Sequence, residues 1–197
     1  SKKFFSDKKC ILQNIKQKNK YLSKNLKLNI LKEESHQNHF PLKIKLRQAS
    51  INSKKIKKND IFFAIKGKRR NGNLYLREVF NKKASLAIVN KINKSEKKSK
   101  QIKVSNTLSF LTKTSIKVRE NSLAKIIAIT GSCGKTSLKE LIGTTLNKFC
   151  QTMYSPKSFN NKFGVPLSLF NLNQKDEYGV FEVGMDKKGE INDLTKI

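Results

Sequence analysis

Apolar residues in this chain come in short runs, separated by polar and turn-rich stretches. Residues 1–35 are rich in lysine and show only a weak helical spacing through Cys10, Ile11, Ile15 and Leu22. Beyond His36 and His39, which read as linker residues without partners, the texture changes. LKIKLRQASI alternates at Leu42, Ile44 and Leu46, which predicts a strand. IFFAIKG is a short apolar run closed by Gly67, again a strand, and the turn-rich KRRNGN follows. Leu74–Lys83 predicts a helix, SLAIVN a buried strand, Asn90–Lys103 a solvated loop and Thr107–Arg119 a helix. A second unit starts at Lys125 with KIIAIT, read as a buried strand. The tight loop GSCGKT leads into a helix over Ser137–Phe149, with Leu138, Leu141, Ile142 and Leu146 on one side. VPLSLF is a helix or a strand, YGVFEVG is a strand, and GEINDLTKI begins a helix.

The chemistry concentrates in the loop after KIIAI. Gly131 and Gly134 remove side chains where backbone N–H groups must approach phosphate oxygens at the positive end of a helix. Ser132, Cys133 and Ser137 complete the loop; Lys135 offers a cation to the β- and γ-phosphates, and Thr136 a hydroxyl to a bridging Mg²⁺. The ordinary phosphate-loop formula has a glycine where this chain has Ile129, so GxxGKTS is a shortened variant. Its place between a strand and an amphipathic helix is what ATP binding requires. Glu182 falls at a strand end, where an α/β sheet presents ligand groups; it is either a holder of the nucleotide's metal or a solvent-exposed residue. Asn160 and Asn161 are either turn residues or contacts to phosphate or substrate.

Strands and helices in alternation predict an α/β fold: a small N-terminal α/β domain, then a P-loop doubly wound parallel-sheet domain. The expected boundaries are a basic extension or linker over residues 1–38, a first domain over 39–120 and a second over 121–197. That second sheet reads as incomplete, as in a piece of a longer protein.

Composition narrows the classes. With 197 residues, 37% hydrophobic and 29% charged, the chain suits one or two soluble domains. Its apolar runs are too short to span a bilayer, and no signal core follows the basic N-terminus. A cytoplasmic address is the expectation. Three widely spaced cysteines suggest neither a disulfide framework nor a zinc site. The net charge of +29 raises a nucleic-acid reading, but lysine is spread along the whole chain beside abundant asparagine and isoleucine, as AT-rich coding produces. No specific nucleic-acid partner is expected. A basic surface still favours small anions.

ITGSCGKTSLKELI resembles the ATP loop of the Mur ligases, which folylpolyglutamate and cyanophycin synthetases share. NNKFGVPLSLF resembles the NNxxGVPLxLL segment of the D-alanyl-D-alanine-adding branch, and EVGMDKKGEINDLT its E-[LMV]-G-x-x-x-x-GEIxxLT segment. INSKKIKKNDIFFAIKGKRRNGNLYL resembles that branch's DSRxxxxGDLFxAxxGxxxDGHxF. Together these cover roughly residues 40–197. The resemblance implies an ATP- and Mg²⁺-dependent ligase of peptidoglycan synthesis, joining D-alanyl-D-alanine to UDP-N-acetylmuramoyl-tripeptide through an acyl phosphate, and working as a monomer. It makes residues 39–120 a UDP-sugar-substrate domain and 121–197 the incomplete central ATP domain. Lys135 and Glu182 take the catalytic positions, Thr136 and Glu182 the metal, and Ser53, Lys54, Asn160 and Asn161 the substrate. Asn52-Ser53-Lys54 stands where the family has Asp-Ser-Arg, Asn71-Gly72-Asn73 where it has Asp-Gly-His, and Lys157-Ser158 where it has Gly-Asn. KKFFSDKKCILQNI resembles the C-terminus of the diamino-acid-adding Mur ligase, as a fused polypeptide would produce. Residues 1–197 alone are expected to bind nucleotide weakly without turnover. Two other readings stay open: another Mur-type or folylpolyglutamate ligase, and a basic nucleic-acid-binding protein.

Overall fold

The computed structural model describes residues 26–37, 44–67, 70–184 and 189–197. The expected helical spacing before residue 25, His39, and the strand position Leu42 lie outside them.

The first unit is a parallel sheet of four strands, β1 (Ala49–Ser50), β2 (Ile61–Phe63), β3 (Leu86–Val89) and β4 (Gln101–Lys103), in that spatial order. Strands this apolar need cover on both faces. Ile61, Phe63, Leu86 and Ile88 point to one side, where α1 (Leu26–Ser35) and α3 (Thr107–Glu120) pack. Phe62, Ala87 and Val89 point to the other, against α2 (Leu76–Asn81). Asn106 starts α3 by accepting from the N–H groups of Leu108 and Ser109, the side-chain capping that asparagine favours.

The second unit is a three-stranded parallel sheet ordered β5 (Lys125–Ile129), β7 (Tyr178–Glu182), β6 (Thr152–Tyr154). Helix α4 (Lys135–Leu146) joins β5 to β6, and α5 (Gly164–Phe170) joins β6 to β7; α6 (Glu190–Thr195) follows. The crossover steps outward and then back, so right-handed connections put α4 and α5 on opposite faces, the doubly wound arrangement. Between the units α5 packs on α3. Phe63 meets Phe170 edge to face, with ring centroids 5.4 Å apart.

Five expectations change. Ile44 and Leu46 do pack against the core, but residues 44–48 are irregular; ladder pairing is reached only at Ala49 and Ser50, opposite Ile61 and Phe62. The stretch read as a solvated loop ends in β4, where Gln101 and Ile102 are buried and paired with β3. β5 is an outer strand, paired among the described residues with β7 alone, and its Lys125, Ile126 and Ala128 are exposed. On α4, Leu138 and Leu141 are exposed while Lys139 and Gly143 face the sheet. A Cβ on Gly143 would sit 2.5 Å from the Tyr154 ring, so this glycine sets how closely α4 approaches β6. Helix α1 also contributes buried Leu28, Ile30 and Leu31 to the core, although residues 1–38 read as an extension.

Candidate active site

The loop after β5 turns on two glycines in the left-handed half of backbone space, Gly131 at φ 143° and Gly134 at φ 73°, the second opening α4. Side chains rarely take such angles. Lys135 folds its ammonium back over the loop, donating to the carbonyls of Gly131 at 2.6 Å and Ser132 at 3.4 Å. Ser132, Cys133 and Ser137 are exposed around it.

Glu182 reaches this loop through sheet register. β5 and β7 run parallel with Ile129 opposite Glu182, so the strand end carrying the carboxylate lies beside the strand end feeding the loop. Glu182 is 2% exposed, which excludes the solvated strand-end reading. The Thr136 hydroxyl donates to its Oε2 at 2.7 Å, and Asn160 Nδ2 donates to Oε1 at 2.8 Å. The backbone N–H of Glu182 donates to Ser155 Oγ at 3.3 Å. Asn160 is held in turn by its carbonyl, which accepts from Gly184 N at 2.6 Å; a Cβ on Gly184 would lie 2.8 Å from that oxygen. The Glu-Val-Gly spacing therefore joins a carboxylate to the glycine that admits its partner.

Asn161 goes elsewhere. Its Oδ1 accepts from the N–H groups of Phe163 and Gly164, both at 3.0 Å, at the start of α5. The two adjacent asparagines thus divide into one facing Glu182 and one shaping a helix entry.

A cleft of about 950 Å³ lies between the units. Ser53, Lys54, Arg47 and Tyr75 line it from the first, Phe159 and Asn171 from the second. Asn52 Oδ1 accepts from Lys54 N at 3.0 Å, and Asn71 Oδ1 from Asn73 N at 3.1 Å. Each asparagine keeps the acceptor an aspartate would offer, so the turns survive without the charge. Ser53 is itself engaged, its carbonyl accepting from Lys82. The Lys82 ammonium, and then Ser53, hold the Glu78 carboxyl below the usual carboxylate range.

Arg47 and Asp60 are cleft residues that spacing alone did not single out. The guanidinium pairs with both carboxylate oxygens at 2.8 Å, and buried Asp60 also accepts from Lys57 N at 2.8 Å. Asp60 occupies the aspartate of the GDLF-like stretch, and that was the available signal.

The donor set suits the groups it would serve. A threonine hydroxyl and a carboxylate sharing a hydrogen bond are hard oxygen ligands of the kind Mg²⁺ takes beside phosphate oxygens. Loop amides with one lysine suit a polyphosphate.

A model of the Mur ligase middle domain matches residues 129–197. The UDP-N-acetylmuramoyl-tripeptide–D-alanyl-D-alanine ligase of Rickettsia prowazekii is 39% identical over 154 residues, 78% of this chain and 34% of that protein. The ligase of the same name from Buchnera aphidicola is 36% identical, over 74% of this chain and 32% of its own length. Among solved structures, MurF from Acinetobacter baumannii superposes with a TM-score of 0.73 at 28% identity, covering 86% of this chain and 37% of that one. A MurF ligase from Thermotoga maritima in complex with ADP gives a TM-score of 0.61 over 76% of this chain and 35% of that one. The chain spans about a third of the length of the curated relatives it matches. With this middle-domain match, these identities and this shared fold, the chain belongs to the Mur ligase family.

Proposed function

We propose that the chain supplies the ATP site and the precursor cleft of a cytoplasmic UDP-N-acetylmuramoyl-tripeptide–D-alanyl-D-alanine ligase. The domain division proposed with it places the precursor on residues 39–120 and ATP on 121–197, with α1 belonging structurally to the first. The observation that carries the reading is the Thr136–Glu182 pair, brought beside the phosphate loop by sheet register. ATP with Mg²⁺ supplies the phosphoryl group that turns the tripeptide carboxylate into an acyl phosphate, from which the D-alanyl-D-alanine amine displaces phosphate, giving an amide, ADP and phosphate.

The chain's own residues do the holding. Gly131–Ser137 present backbone N–H groups to the phosphates, and Lys135 swings from the loop carbonyls to meet their charge. Thr136 and Glu182 hold the metal, and Asn160 keeps the carboxylate aimed. Ser53, Lys54 and the Asp60-braced Arg47 face the anionic precursor across the cleft, so that the two substrates meet between the units.

Isothermal titration of ATP with Mg²⁺ into the chain tests this. The expected result is binding that Lys135→Ala weakens at least about ten-fold, the worth of one charge-assisted contact. Separate binding of UDP-N-acetylmuramoyl-tripeptide, weakened by Arg47→Ala, tests the cleft. Salt-dependent DNA binding that survives Lys135→Ala, without ATP binding, would overturn the proposal.

A further inference from the structure

We propose that Lys139 is a positioning residue, locking the phosphate-loop helix to the turn that aims Asn160 at Glu182. Lys139 follows Lys135 by one helical turn, yet its side chain has no exposed surface. A lysine buried this fully needs partners for its ammonium. One is the carbonyl of Lys157 and another is the Glu140 carboxylate at 3.0 Å, itself 43% exposed.

Lys157 holds φ 50°, a left-handed angle uncommon for a side chain of this length. Something must hold that turn, and the buried ammonium on its carbonyl does. Hydrogen bonds continue from there to the metal-facing carboxylate. Asn160 N donates to Ser158 O at 2.9 Å, Gly184 N donates to Asn160 O, and the Asn160 amide donates to Glu182. One turn further along α4, Gly143 lies against Tyr154, so the helix is set on the end of β6 at one point and on the turn that follows it at the other. An apolar side chain at 139 would fill the space but leave the Lys157 carbonyl without its donor.

The consequence for metal-dependent affinity rests on the nucleotide reading above; the consequence for Gly184 does not. Amide exchange is measured on the unmodified chain, Lys139→Met and Lys139→Arg, together with ATP affinity with and without Mg²⁺. In the unmodified chain the Gly184 amide should be protected alongside β7; exchange as fast as an exposed loop would overturn the proposal without any variant. Lys139→Met should keep the circular-dichroism spectrum and metal-free ATP affinity, speed Gly184 exchange about ten-fold, and remove most of the gain in affinity that Mg²⁺ gives. Lys139→Arg should restore part of both. Lys139→Met with Gly184 protection and Mg²⁺ gain unchanged would make Lys139 core filling alone. A unmodified chain that binds no ATP overturns the nucleotide reading, while the exchange arm still decides the placement by Lys139.

Discussion

Each oxygen of the Glu182 carboxylate accepts one hydrogen bond, from Thr136 on one side and Asn160 on the other. A glutamine there would turn an N–H₂ toward one of these donors. Glu182→Gln is therefore expected to lower Mg²⁺-dependent ATP affinity about ten-fold or more while leaving metal-free binding nearly unchanged, measured by calorimetric titration with and without EDTA. Gly184 has a different kind of constraint. Its missing Cβ makes room for the Asn160 carbonyl, so Gly184→Ala should cost about 1–3 kcal/mol in a urea unfolding titration. At this scale the sequence was informative about identity and silent about direction. The shortened loop marked Lys135 and Thr136, but nothing in the spelling Asn-Asn says that the first asparagine faces Glu182 and the second enters α5.

Among the elements, segments carrying an apolar run of their own were legible. Helix α3 and strands β2, β3 and β7 lie where the apolar runs placed them, because their burial is decided by their own spacing. The elements that escaped lack such a run or depend on a neighbour. β4 is three residues after a lysine-rich loop, and it becomes a strand by pairing with β3 while Gln101 bonds the backbone of Asn93. The inward face of α4 was misread for a related reason. Its leucines suggested a buried stripe, whereas the helix turns Gly143 to the Tyr154 ring and Lys139 to the Lys157 carbonyl. Stability measurements can check this orientation. Leu141→Lys, at a side chain 64% exposed, should change unfolding free energy by no more than about 0.5 kcal/mol. Gly143→Ala, modest in volume, should cost about 1–3 kcal/mol because the added Cβ would overlap the Cβ and ring base of Tyr154.

The whole molecule is held together by a core that crosses between the sheets. Phe63 of β2 meets Phe170 of α5, and Asn171 at the end of that helix clasps β1 with its amide. Its Oδ1 accepts from Ala49 N at 2.6 Å and its Nδ2 donates to Ala49 O at 3.1 Å, much as a neighbouring strand would. The two units should therefore unfold in one calorimetric transition, which Asn171→Ala lowers by about 1–3 kcal/mol through the orphaned Ala49 N–H. Two separated transitions in the unmodified chain would contradict a shared core. Taken by itself, the sequence determined the α/β class, the phosphate loop and the identity of the residues around it, since these depend on local spacing and on glycines that no other residue replaces. Tertiary structure alone decided that Ile129 and Glu182 share a register, that Asn171 bridges the units, and that Lys139 lies inside. Those facts come from strands meeting across dozens of intervening residues, and local patterning carries no record of which partner a strand end will find.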